Sequence, residues 1–330
     1  MVGIAVLGCG RIGRVHARHI AANPRARLVA CYDVSASAAA AVAAETGAAA
    51  AASVDAVLAD GRVRAVLIAT PTPTHVDLIT SAVRAGKAVL CEKPIDLDLA
   101  RVDACWSAIG GFDPLVMLGF NRRFDPSFRA LRDRVLAGEI GALEQVVITS
   151  RDPLPPPPAY VAASGGLFRD MTIHDFDMAR YLAGEIVAVQ AMGANLVDPA
   201  IAAQGDIDAA MVVLRAASGA LVHINNSRRC AYGYDQRIEA FGVHGMLQAH
   251  NRHGDTIEAW GAAQTRAQAP VMDFFIVRYA DAYRAEIDHF LDCIEGGGPP
   301  LAGFAEGRAA LLLADAAVDS AESGRVVRLG

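Results

Sequence analysis

Residues 2–13 read Val2-Gly3-Ile4-Ala5-Val6-Leu7-Gly8-Cys9-Gly10-Arg11-Ile12-Gly13, a short apolar run that ends in a glycine-rich turn. Arg14 to Ala22 can continue as a helix, so the stretch reads as strand, tight turn, helix. Gly8, Gly10 and Gly13 have the G-x-G-x-x-G spacing that lets backbone N–H groups at a helix N-terminus approach a pyrophosphate, with Arg11 and Ile12 between them. A second apolar run, Arg27 to Tyr32, ends in Asp33, 20 residues past the last glycine. A carboxylate there accepts hydrogen bonds from both hydroxyls of an adenine ribose and repels a 2′-phosphate. Val34 and Ser35 follow with no arginine beside Asp33, so the pattern favours NAD over NADP. The alternative is a glycine turn that only packs a helix onto a sheet.

Moving outward, Ala65–Ala69, Ala88–Cys91 and Leu115–Gly119 are further strands, separated by helical stretches near His75–Ala85 and Leu97–Ile109. Alternation of this kind predicts an α/β Rossmann fold with a doubly wound parallel sheet. Ligands of such sheets bind beyond the carboxyl ends of the strands. Three segments fall there: Gly8 to Gly13, the turn Thr70-Pro71-Thr72-Pro73-Thr74-His75, and Glu92-Lys93-Pro94. Thr70, Pro71, Thr72 and His75 are candidate cofactor contacts, although turns before helices also carry such residues for capping. Glu92 and Lys93 join them. Lys93 can donate to a substrate hydroxyl and stabilise negative charge developing on its oxygen. A structural ion pair with Glu92 is its alternative, and the Lys93–Pro94 bond is a place where a cis peptide is allowed.

The chain of 330 residues is long for one core and predicts two domains, a dinucleotide-binding domain over 1–120 and a second over 121–330. The hydrophobic fraction of 53% is swollen by alanine and offers no run of about 20 large apolar residues, so no membrane span is expected. The net charge of −6 comes from mixed acids and bases without a basic stripe, which argues against a nucleic-acid partner. Six scattered cysteines with no C-x-x-C pair fit reduced thiols, and with no signal peptide before Val2 they point to the cytoplasm.

Beyond residue 120 the period changes. Leu143–Ser150, Ile186–Val197, Ile207–Leu214 and Leu221–Ser227 alternate like strands, Ala217–Ala220 makes a hairpin turn, and Arg237–Val243 with Met246–Ala249 adds another hairpin. Strands in succession predict a mainly antiparallel sheet within an α+β domain. Such a sheet covers one face with helices and leaves the other for a second subunit. Phe304–Ser323 is an alanine-rich helix stopped by Gly324.

Residues 165–182 read GGLFRDMTIHDFDMARYL. At helical spacing Asp170 and His174 share a face, where the acid can orient the ring and raise its basicity for proton transfer. A surface pair or an Asp170 cap are the alternatives. So is a metal site of Asp170, His174, Asp175 and Asp177, but Asp175 must point away from that face, and the reading is metal-free.

GCGRIG with Asp33, the CEKP of 91–94 and the Asp170–His174 segment together resemble the glucose-fructose oxidoreductase, inositol dehydrogenase and rhizopine-catabolism (MocA) family over nearly the whole chain. The resemblance implies a C-terminal sheet that mediates oligomers, here a homotetramer or dimer, and catalytic roles for Lys93, Asp170 and His174. Within the family the chain is most similar to the inositol 2-dehydrogenase subgroup, through GFNRRFDPSF at 119–128, IHDFDMAR, and NSRRCAYGYDQRIEAFGVHG at 226–245. That implies NAD-dependent oxidation of a cyclic polyol, myo-inositol to scyllo-inosose, with related sugars, scyllo-inositol or aminocyclitols as alternatives and a non-catalytic NAD sensor as a further one. It maps Arg123 and Tyr234 (or Tyr232) onto the polyol pocket, with Asp177 a further hydroxyl ligand. The four prolines at 155–158 depart from the pattern and predict a stiff loop.

Overall fold

The computed structural model describes residues 1–330 and divides them into two units, Met1–Phe124 with Ala282–Leu311, and Asp125–Asp281 with Leu312–Gly330. In the first unit Val2–Leu7 forms β1, buried along its whole length, and Arg11–Ala22 forms α1 directly after the glycine turn. There follow β2 (Ala26–Tyr32), α2 (Ala36–Thr46), β3 (Ala49–Ala50), α3 (Val54–Ala59), β4 (Ala65–Ile68), α4 (His75–Arg84), β5 (Ala88–Cys91), α5 (Leu99–Ile109) and β6 (Val116–Leu118). Local chemistry sets several starts. Ser35 accepts the Ala38 N–H at the head of α2 and Asp98 accepts the Ala100 N–H at the head of α5, each satisfying an orphan helix donor.

The six strands are all parallel, in the order β3-β2-β1-β4-β5-β6. Both faces of such a sheet need cover, which is why β1, β4 and β5 read as unbroken apolar runs rather than alternating ones. The order reverses between β1 and β4. Ligand crevices form at that point, outside the carboxyl ends of the strands.

The second unit opens with α6 (Pro126–Leu136), capped by Asp125, whose carboxylate accepts the Ser127 and Phe128 N–H groups. Then come β7 (Leu143–Arg151), α7 (Pro158–Ser164), α8 (Ile173–Ala183), β8 (Ile186–Ala194), α9 (Pro199–Ala202), β9 (Ala209–Ala216), β10 (Leu221–Ser227), β11 (Asp235–Gly242) and β12 (Gly245–Ala249). Short strands β13 (Glu258–Ala259) and β14 (Ala267–Gln268) pair with each other and α10 (Phe275–Arg278) follows, after which most of α11 (Ala280–Ile294) belongs to the first unit. The chain ends with α12 (Phe304–Ser323), stopped by Gly324 at φ +69°, and β15 (Val327–Arg328).

The large sheet runs β12-β11-β7-β10-β9-β8-β15. It is mainly antiparallel, as expected, but β7 and β10 lie parallel. Strict alternation divides its faces. Val146, Ile148, Val222, Ile224, Val212, Leu214, Ile238 and Ala240 are buried, and α6 and α8 pack on the sheet. The intervening residues Met192, Met211, Val213, Leu221, Phe241 and Met246 stand exposed on the other side. All six cysteines are free thiols, five of them buried. No helix is long and apolar enough to cross a membrane.

Candidate active site

The turn after β1 is built by close backbone packing. A Cβ on Gly8, at φ +96°, would lie 2.5 Å from the Ala69 backbone, and one on Gly13 would lie 1.9 Å from the Gly8 carbonyl oxygen. A Cβ on Gly10 would meet nothing within 4 Å, and no side chain caps α1. The open side of the turn therefore faces away from protein, and backbone N–H groups at the start of a helix are the donors that a ligand phosphate takes. Asp33 stands beside them. Its Oδ2 accepts the Cys9 N–H at 2.7 Å and its Oδ1 accepts the Ser35 N–H at 2.8 Å, leaving lone pairs for ribose hydroxyls. These residues fit a bound NAD.

The loops after β4 and β5 flank the same crevice. Thr70 and Thr72 are partly exposed and Pro71 exposed, with the Thr70 and Thr74 hydroxyls 2.7 Å apart. His75, expected among the cofactor contacts, is buried instead. Its Nδ1 lies 2.8 Å from the Pro94 carbonyl and its Nε2 2.8 Å from the Thr70 carbonyl, so both ring nitrogens are taken up in tying one loop to the other. The Glu92 carboxylate likewise faces inward, where Oε1 lies 2.7 Å from Nε2 of the buried His16 on α1. Lys93 follows, half-buried, and the Lys93–Pro94 peptide is cis. Arg123 is buried in this unit, its Nη1 donating to the Leu301 carbonyl at 2.5 Å.

In the second unit the segment carrying Asp170 is not one regular helix. Gly165 and Gly166 take positive φ, Phe168–Thr172 forms a wide π turn that holds Asp170, and α8 begins at Ile173 with His174 in its first turn. Single π turns re-aim side chains relative to the α-helix that follows. Asp170 is held from two sides: Oδ1 accepts the Tyr160 hydroxyl at 2.8 Å and Oδ2 accepts Arg228 Nη1 at 3.2 Å. Loss of hydration around the hydroxyl first, then the charge of Asp170, push the phenol of the half-exposed Tyr160 above its usual range, so it stays protonated and donates.

The start of α8 is anchored to the sheet by Asn226 on β10. Its amide donates to Asp175 Oδ2 at 2.8 Å and to the Ser150 carbonyl at 3.3 Å, while its Oδ1 accepts the Thr172 hydroxyl at 2.7 Å. Asp175 therefore points into the sheet, away from the Asp170/His174 face. No group of three or more His, Cys, Asp or Glu side chains converges closely enough to hold a metal. Asp177 is buried one turn beyond His174. Tyr234 is buried with its ring edge-on to Tyr279 at 5.9 Å, whereas Tyr232 is half exposed and donates to Asp235 at 2.5 Å. Tyr160, Arg228 and Asn226 escaped the sequence reading. No spacing rule links them to Asp170 or Asp175, and only the fold brings them together.

A reversed-order parallel sheet with a glycine cradle and an acid after β2 defines a dinucleotide-binding oxidoreductase scaffold. Residues 2–120 match the oxidoreductase-family model with an NAD-binding Rossmann fold, and residues 128–248 match the GFO/IDH/MocA C-terminal domain. The chain belongs to the GFO/IDH/MocA family of NAD-binding oxidoreductases. It is 49% identical to inositol 2-dehydrogenase of Rhizobium meliloti strain 1021 over 330 residues, covering 99% of each chain. The solved myo-inositol dehydrogenase of Corynebacterium glutamicum is similar at 50% identity with a TM-score of 0.97, over 100% of this chain and 99% of that one. The scyllo-inositol dehydrogenase of Lactobacillus casei, solved with NAD(H) and scyllo-inositol, superposes with a TM-score of 0.90 at 28% identity, covering 99% of each.

Proposed function

We propose that this protein oxidises a secondary hydroxyl of a cyclic polyol to a ketone, with myo-inositol as substrate and scyllo-inosose as product. The observation that carries the reading is full-length similarity to inositol 2-dehydrogenases on a chain that carries Lys93, Asp170 and His174. NAD, when bound, supplies the hydride acceptor. Gly8, Gly10, Arg11, Ile12, Gly13, Asp33, Thr70, Pro71 and Thr72 are the residues assigned to hold it.

His174 takes the proton of the reacting hydroxyl as hydride departs from the same carbon. Asp170 orients the imidazole and stabilises its protonated form, as a carboxylate does for a histidine base. Lys93 donates to the reacting or adjacent hydroxyl and stabilises negative charge on oxygen. Arg123, Asp177 and Tyr234 (or Tyr232) bind the remaining hydroxyls.

Initial rates of NAD reduction with myo-inositol, scyllo-inositol, chiro-inositol and glucose test the assignment. Myo-inositol is expected to give the highest kcat/KM. A clear preference for scyllo-inositol or glucose would move the chain to a neighbouring activity.

The same proposal includes a homo-oligomer, tetramer or dimer, formed through the exposed sheet face of Met192, Met211, Val213, Leu221, Phe241 and Met246. These six exposed large apolar side chains, set among polar ones on the same sheet face, are what supports the reading. Sedimentation velocity of the wild type and of a Met211→Glu, Val213→Glu double variant is expected to show an oligomer that dissociates on substitution. A monomeric wild type rejects it. Location in the cytoplasm is also part of the proposal, supported by six unpaired thiols.

A further inference from the structure

Asp170 is the proposed partner of the histidine base, and what holds Asp170 lies outside the catalytic set. Arg228 is 1% exposed, a full guanidinium buried inside the second unit. A buried charge of that kind needs paired acceptors. Its Nη1 donates to Asp170 Oδ2 at 3.2 Å, and its Nη2 lies 3.8 Å from Asp206 Oδ2. Asp206 in turn accepts the Leu167 N–H at 2.9 Å, at the start of the turn that carries Asp170. Arg228 is thus joined both to the Asp170 carboxylate and, through Asp206, to the backbone just ahead of it.

The opposite oxygen of Asp170 accepts the Tyr160 hydroxyl at 2.8 Å. Tyr160 sits on α7, which begins at Pro158, the last of four consecutive prolines. A proline run fixes φ along its length and costs little further entropy on folding. The stiff loop therefore delivers one phenol to one carboxylate. The two oxygens of Asp170 point to separate donors, and rotation of the carboxyl group about χ2 would break both bonds.

Resting on the role given to Asp170 above, we infer that Tyr160 and Arg228 are positioning residues that fix the Asp170 carboxylate for His174, with the proline loop as the element that places Tyr160. The hydroxyl of Tyr160 acts through Asp170 and not on the substrate.

The test is a kinetic double-mutant cycle of Tyr160→Phe and Asp170→Asn in the full-length enzyme. Tyr160→Phe removes one oxygen from a half-exposed ring, so the melting temperature is expected to hold. Its kcat is expected to fall about 10-fold, as loss of a hydrogen bond to a charged group implies, with KM for the polyol and Kd for NAD within about twofold. In the Asp170→Asn background the same substitution is expected to have little further effect, because the carboxylate it positions is gone. Arg228→Lys, which retains charge but loses the fork, is expected to lower kcat in the same selective way. Equal fold-losses in both backgrounds, or a rise in KM with kcat unchanged, would overturn the inference by placing Tyr160 on the substrate or elsewhere. An Asp170→Asn variant with wild-type turnover would instead remove the catalytic reading of Asp170 on which it rests.

Discussion

Replacing Glu286 by glutamine should abolish a pH dependence of stability that originates beneath the Glu92-Lys93-Pro94 turn. Glu286 lies on α11 with no exposed surface, and neither of its carboxyl oxygens has a hydrogen-bond partner. Burial, and then the charge of Glu92, raise its pKa well above the ordinary glutamate value. The native protein therefore keeps this carboxyl protonated at pH values where the unfolded chain, titrating near 4.3, has released it. Across that interval the native state binds one more proton than the unfolded state, so the group's contribution is complete below the unfolded pKa and is lost as pH rises toward the native one. The slope is about 1.4 kcal/mol per pH unit. Glutamine keeps the shape and removes the titration. Urea unfolding of both proteins at pH 5, 6 and 7 measures the difference in stability between them, in which all other titrating groups cancel. The wild type is expected to lose stability relative to Glu286→Gln as pH rises from 5, at a rate of at most about 1.4 kcal/mol per unit, while the variant retains near-normal kcat because the group it replaces was neutral. A difference that does not change with pH would show that the native carboxyl is ionised, and the reasoning from burial would fail.

Other outcomes follow from the site. His174→Ala and Lys93→Ala are each expected to reduce turnover by about 10²-fold or more with NAD affinity nearly unchanged; initial rates with NAD titration by fluorescence check this, and near-normal turnover removes that residue's role. Asp33 should make NADP a poor cofactor, with kcat/KM about 10²-fold below NAD because a 2′-phosphate meets a carboxylate, and Asp33→Ser should narrow the gap. Gly8→Ala forces a Cβ to within 2.5 Å of the Ala69 backbone at φ +96°, and calorimetry with NAD titration is expected to show a lower melting temperature and weakened NAD binding.

Much of the first unit was legible because its signals are local. Val2–Leu7, the glycine spacing and Asp33 each report on neighbours along the chain, and the backbone requirements at Gly8 and Gly13 are stringent enough to leave a mark in residue type. Strand alternation in the second unit was equally readable. The parallel pairing of β7 with β10 was not, since 69 residues separate Arg151 from Leu221 and alternation carries no information on strand direction. Nor does the pattern of Ala280–Ile294 announce that most of this helix sits in the first unit, where Glu286 faces the charge of Glu92.

The site divides the same way. Sequence alone picked out the residues proposed to bind NAD or move a proton: Asp33, Lys93, Asp170 and His174 stand out by type, spacing and their places after strands or on a helix. Tertiary structure decided how those groups are held. His75 turned out to join two loops, Asp175 to anchor a helix on Asn226, and Asp170 to sit between Tyr160 and Arg228. A side chain's chemistry is fixed by its atoms, but its hydrogen-bond partners are set by packing between segments far apart in the chain, and no local pattern encodes that.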